Sequence, residues 1–137
     1  MAEATAALTG AAEVHDASKL REPEKSTFDW ATPRLKHMKM GSKGYEDARA
    51  AMRPALLHHY SQNRHHPEYH GDKGVGIYKM DLLDLIEMVA DWKAATERHE
   101  PPGKLRDSIE GLAERFGYDD RMKELLLATV KRLGWVK

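Results

Sequence analysis

The chain has 137 residues and no cysteine. Disulfide frameworks, thiolate zinc sites and cysteine nucleophiles are therefore excluded, and the absence is compatible with a reducing cytoplasm. No apolar run approaches the roughly 20 residues that a bilayer span requires. The opening stretch MAEATAALTGAAEV has no basic residue ahead of its apolar part, so it does not read as a signal peptide. Together these points predict a cytoplasmic protein with no membrane partner. Net charge is lacking as well: 22 Lys plus Arg balance 22 Asp plus Glu. A balanced chain has no general electrostatic grip on nucleic acid or an anionic surface. Strand patterning is missing apart from a short candidate at Val75–Tyr78, and there are no repeats or low-complexity tracts.

What is present is helical periodicity. The length fits one domain with a single core. Residues 3–15 are Ala-rich, with Leu8, Ala11, Ala12 and Val14 on one face and Gly10 weakening it. His15 and Asp16 fall at or just past its end. Residues 21–34, with two prolines, read as a polar connection pinned to the core by Phe28 and Trp30. Residues 35–42 read as a short helix or irregular segment, with Met38 and Met40 inward. From Tyr45 to Gln62 a helix is expected, with Ala48, Met52, Ala55, Leu56 and Tyr60 inward and a kink or restart at Pro54.

Residues 63–78 read as a long loop, punctuated by Pro67, Gly71, Gly74 and Gly76. A helix from about Lys79 to Arg98 follows, ended by Pro101, Pro102 and Gly103. Two amphipathic helices, about 104–116 and 119–134, are separated by Gly117. Ile109, Leu112 and Phe116 form the apolar face of the first. Met122, Leu125, Leu126, Thr129, Val130 and Leu133 form that of the second. The expectation is an all-α, single-domain helical bundle: residues 1–100 as the core that carries the motifs, and 101–137 as a helix pair that covers it or makes a homo-oligomer contact.

The chemistry concentrates in the histidines. Five of the eight lie between residues 58 and 70: the doublets His58–His59 and His65–His66, then His70. Asn63, Glu68 and Tyr69 lie among them, able to orient imidazoles or meet a substrate. His37 and His99 stand apart and read as surface residues. His15–Asp16 offers an imidazole and a carboxylate side by side, good ligands for divalent zinc, iron or manganese. The helix after the loop is apolar around most of its circumference, which implies burial. Yet Asp84, Glu87 and Asp91 recur along it at i, i+3 and i+7, which puts them in one line. Carboxylates on a buried helix need a partner, and a metal or a histidinium could supply one.

Taken together, His15–Asp16, the later doublets and the segment Val89-Ala90-Asp91-Trp92-Lys93-Ala94 resemble the HD superfamily of metal-dependent phosphohydrolases. Those proteins are helical, and a His, a His-Asp pair and a later Asp gather on one metal. His15 and Asp16 match the pair and Asp91 the later Asp. The HD-GYP branch is similar more locally. Its HDxGK element resembles His-Asp-Ala-Ser-Lys here, which implies that Lys19 assists chemistry. Its His-His doublet resembles His58–His59, which implies a second metal. The Gly-Tyr-Pro signature itself is absent. The chain is also similar, from about Glu13 to Thr96, to small bacterial and phage proteins of undefined function that share an HDxSK element, a histidine doublet, an N-x-HHPEY loop and an EMxxDW helix.

The resemblance implies a divalent metal (Mn, Fe or Zn) held by His15, Asp16, Asp91 and a histidine of the His58–His59 doublet. HD proteins carry another His upstream of the His-Asp pair, where residues 1–14 have none. The site is thus either completed by His58, His59, His65 or His66, or incomplete. The expected activity is hydrolysis of a nucleotide or small phosphate ester. Lys19 would steady phosphate charge, and Glu87, one turn from Asp91, would act as base or outer partner. Asn63, Arg64, His65, His66 and Lys73 would face the substrate. The alternative is a non-catalytic, metal-stabilised binding or accessory protein that retains an incomplete HD site.

Overall fold

Every regular element is a helix among the described residues of the computed structural model, which are 1–39, 42–98 and 103–137. The all-α expectation holds. Val75–Tyr78, the one strand candidate, sits instead at the start of a helical turn. Met40, His99, Pro101 and Pro102 lie outside the described residues. No helix among the described residues is long and apolar enough to cross a membrane. The chain divides into two compact units: Glu13–Asn63, and Met1–Ala12 with Arg64–Lys137. Helix α1 (Ala2–Val14) has no buried residue.

In the unit Glu13–Asn63, the chain leaves α1 through Asp16, a non-glycine residue in the left-handed region at φ 58°. A 3-10 turn, Ala17–Leu20, follows. The stretch read as a polar connection is then a helix, α2 (Glu24–Lys36). Pro23 immediately precedes it, where a missing N–H costs nothing. Pro33 lies inside the helix, in its last turns, and cannot donate to the Asp29 carbonyl. Tertiary packing decides the conformation: Glu24, Phe28 and Ala31 recur at helical spacing and turn towards α3 (Lys43–Gln62). Phe28 is half-buried, but Trp30 and Met38 are exposed, against expectation. Helix α3 is capped by Ser42, whose Oγ accepts from the Tyr45 N–H at 3.3 Å. It runs through Pro54 as one helix and buries Ala48, Met52, Ala55 and His59 in a single stripe.

In the second unit, the 63–78 loop is more ordered than its glycines imply. It contains two helical turns, α4 (Pro67–His70) and α5 (Gly76–Lys79). Their close approach depends on Gly76, where a Cβ would lie 2.0 Å from the Pro67 carbonyl oxygen and 2.7 Å from that of Gly71. Helix α6 (Leu82–Glu97) opens with a capping box. Asp81 Oδ1 accepts from the N–H groups of Leu83 and Asp84, both at 2.9 Å, while Asp84 Oδ2 accepts from Asp81 N–H at 3.2 Å. Leu85, Met88, Val89 and Trp92 are buried and pack with α7 (Leu105–Phe116) and α8 (Asp120–Arg132). Trp92 stacks on Phe116 with centroids 5.7 Å apart and planes 8° from parallel. Gly117 ends α7 at φ 71°, the left-handed C-terminal residue that glycine provides without a Cβ clash. Leu126 and Val130 are buried, whereas Leu125 and Leu133 are exposed. The buried stripe of α8 is narrower than expected, and Leu125 instead lines a shallow apolar groove with Leu82, Ile86 and Val89.

Tyr118 gives this unit a specific alkaline weakness. It is buried, its hydroxyl donates to the Ile109 carbonyl, and burial pushes its ionisation up to about 12. The unfolded chain ionises near the ordinary value of 10. Its stabilising contribution is complete below pH 10 and is lost as pH rises through 12, because only the unfolded state releases the proton in that window. At about 1.4 kcal/mol per tenfold in ionisation, the loss is on the order of 3 kcal/mol. Urea denaturation at pH 9 and pH 12 is expected to differ accordingly, with Tyr118→Phe flattening the difference; an equal slope in the variant would refute the assignment.

Candidate metal centre

The unit Glu13–Asn63 brings four polar segments together around His59, which is buried because position 59 continues the 48, 52, 55 stripe of α3. Its Nε2 lies 3.1 Å from Asp16 Oδ1, and its Nδ1 lies 2.9 Å from Glu24 Oε2. One imidazole therefore stands between two carboxylates. Glu24 is fully buried on the first turn of α2. Its other oxygen, Oε1, is 2.7 Å from His58 Nδ1, and Ser18 Oγ donates to Oε2 at 2.9 Å. Burial raises the Glu24 ionisation, but hydrogen bonds from His58, Ser18 and His59 outweigh it and hold the carboxyl below its usual range. Phe28 closes over the site, meeting the His59 ring edge-on at 5.8 Å.

Asp16 is the second carboxylate. Its Oδ2 accepts from Lys19 Nζ at 2.5 Å and lies 3.6 Å from His15 Nε2. Burial raises its ionisation; hydrogen bonds from His59 and Lys19 and the positive charge of Lys19 more than offset this, holding it well below the ordinary carboxylate range. The left-handed backbone at Asp16 and the 3-10 turn after it explain the His-Asp-Ala-Ser-Lys spacing. They turn His15, Asp16, Ser18 and Lys19 inward within five residues, and all four are half-buried. Lys19 also lies over the Phe28 ring, 5.2 Å from its centroid. Asn63, at the C-terminal cap of α3, donates through Nδ2 to the His59 carbonyl and to Ser18 Oγ, both at 2.8 Å.

In the other unit, the acidic row on α6 finds partners of a kind only partly anticipated. Asp84 is buried, and its partner is an arginine. Arg64 donates to it twice, Nε to Oδ1 at 3.0 Å and Nη2 to Oδ2 at 2.8 Å, and reaches Asp81 at 3.3 Å. His70 adds to this cluster, with Nε2 donating to the Arg64 carbonyl at 2.8 Å and lying 3.4 Å from Asp84 Oδ2. Glu87 pairs with buried His65, Nδ1 to Oε1 at 3.1 Å. His66 is half-buried beside His65, their ring centroids 4.2 Å apart. Asp91 is half-buried one turn beyond Glu87. Lys73 is exposed, and its stem lies over Gly117.

The model of a family of unknown function, DUF5662, matches residues 1–134. The chain belongs to that family. Among curated proteins and among solved structures, none matches this DUF5662 member. Its described residues include histidines and carboxylates that could serve as metal donors: His15, Asp16 and His59 in the unit Glu13–Asn63 and, in the other unit taken by itself, His65, His66, Glu87 and Asp91. The donor chemistry fits a borderline divalent ion: imidazole nitrogen and carboxylate oxygen, with no thiolate. His58 is not among these donors; its Nδ1 lies 2.7 Å from Glu24 Oε1. Sequence reasoning missed Glu24. For Glu24 a signal existed, because positions 24, 28 and 31 form a helical stripe that the prolines at 23 and 33 disguise.

Proposed function

We propose that the chain is a metal-dependent phosphohydrolase acting on a nucleotide or another small phosphate ester. The observation that carries this reading is His59 held between Glu24 and Asp16. An imidazole anchored by a carboxylate at Nδ1 and aimed by Nε2 at a second carboxylate is the arrangement by which proteins orient a metal-binding histidine. Asp16, His15 and His59, all within the unit Glu13–Asn63, would be donors. With a divalent ion held by these residues, the site would gain a Lewis acid able to activate water near neutral pH and to polarise a phosphoryl oxygen. Lys19 keeps a positive charge beside Asp16, suited to steadying phosphate. Arg64 is committed to Asp84 and Asp81, so its role in this reading is to brace the start of α6.

The test uses the full chain. Elemental analysis after purification is expected to find a stoichiometric transition metal. A panel of nucleotides and a generic phosphodiester, assayed with added Mn2+, is expected to include a substrate. A chain that carries no metal and takes up none refutes the proposal. Metal without turnover favours the alternative, a metal-stabilised binding protein.

A further inference from the structure

Glu24 is the only carboxylate among the described residues of its unit that is fully buried, and no substrate or metal role was assigned to it from sequence. We propose that Glu24 is a positioning residue, fixing the ring orientation of His58 and His59 and a proton on each Nδ1, so that the Nε2 of His59 faces Asp16. This deepens the metal reading but stands on its own geometry.

The hydrogens around His59 Nδ1 can be placed from the neighbouring donors and acceptors. Three groups lie near that atom: Glu24 Oε2 at 2.9 Å, Asn63 Nδ2 at 2.9 Å and Ser18 Oγ at 3.2 Å. Asn63 has two amide hydrogens, and both have acceptors elsewhere, the His59 carbonyl and Ser18 Oγ. Ser18 has one hydroxyl hydrogen, and it goes to Glu24 Oε2. With the hydrogens on these nearer acceptors, neither neighbour donates to Nδ1. The remaining neighbour, an ionised carboxylate, can only accept. That arrangement assigns a proton to His59 Nδ1, donated to Glu24 Oε2 at 2.9 Å. The same holds for His58, whose Nδ1 lies 2.7 Å from Glu24 Oε1. One buried carboxylate thus fixes two adjacent rings, one through each oxygen, and turns the Nε2 edge of His59 onto Asp16 at 3.1 Å. A buried carboxylate is costly unless its lone pairs are filled, and here three donors fill them. The histidine doublet serves the site asymmetrically: His59 presents an edge to Asp16, while His58, partly exposed, completes the shell of Glu24.

Long-range proton–nitrogen NMR of the imidazoles in the metal-free full chain tests this directly. Both rings are expected to be protonated at Nδ1 in the wild type. In Glu24→Gln the His59 pattern is expected to change, because the amide NH2 can donate where the carboxylate accepted. An unprotonated Nδ1 in either wild-type ring overturns the proposal, and so does a folded Glu24→Gln protein with the wild-type pattern. A second arm reads Co2+ binding by its visible absorption. Glu24→Gln is expected to bind about 10–100-fold more weakly, with shifted bands, as for the loss of an outer carboxylate partner. Glu24→Asp is expected to recover part of that loss. Unchanged affinity and spectrum in a folded Glu24→Gln protein would again refute the role. A wild type that takes no Co2+ would refute the metal reading alone, since the NMR arm needs no metal.

Discussion

Asp16→Asn protein is expected to fold and yet to bind Mn2+ or Zn2+ more weakly than wild type by more than the roughly 10–100-fold that losing an outer partner costs. The backbone explains why Asn is the informative substitution. Asp16 sits at φ 58°, a region that Asn and Asp visit readily and other side chains do not. Asn therefore keeps the turn that presents His15, Ser18 and Lys19, while removing the negative charge that a cation needs. Asp16→Ala should bind metal no better and should also be less stable by roughly 1–2 kcal/mol, because Ala has no side chain to offset the left-handed conformation. Isothermal titration with each metal, alongside thermal unfolding of the metal-free proteins, separates the two effects. Wild-type affinity in Asp16→Asn would remove Asp16 from the ligand set.

The second large effect is on stability. Trp92→Ala is expected to cost about 3–5 kcal/mol, a substantial share of the roughly 5–15 kcal/mol that holds a typical domain together. Trp92 is 8% exposed and lies flat against Phe116, so truncation removes both the buried area and the stacked ring pair that joins α6 to α7. Its neighbours along the helix, Val89 and Met88, are at most 1% exposed, leaving little freedom to collapse into the cavity. Urea denaturation would register the change as a lower midpoint. A loss under about 1 kcal/mol would mean that the stacked pair is dispensable. The effect should extend to the acidic row, since the same buried face fixes which way Glu87 and Asp91 point from α6.

Much of this architecture is legible in the sequence where pattern and propensity agree. The stripe 48, 52, 55, 59 of α3 can be read from its alanines and methionine, and it carries His59 inward and leaves His58 at its edge. The start of α6 is announced by Asp81, three residues before Asp84. Legibility fails where tertiary contact overrides local signals. Two prolines and a run of charges make residues 21–34 read as a connection, yet burial of Glu24 and Ala31 against α3 makes most of it a helix. Exposed Trp30, Met38 and Leu125 show the converse: a large apolar side chain guarantees neither burial nor a core face. Within the candidate site, the His-Asp pair and the doublets stand out by residue type. Their anchors do not. A single Glu in a polar stretch has no signature until the histidines 34 and 35 residues away are folded onto it. Arg64 likewise reads as a phosphate contact until Asp84 is found beneath it.

The contact at Gly76 has a consequence for anyone who would transplant the histidine loop. His66 caps the turn α4, which rests against α5 with no room at Gly76 for a single methyl group. The motif Asn-x-His-His-Pro-Glu-Tyr-His is therefore not portable by itself. A graft onto another helical scaffold has to carry the chain at least through Gly76, ten residues past His66, or the second histidine of the doublet arrives without the seam that aims it.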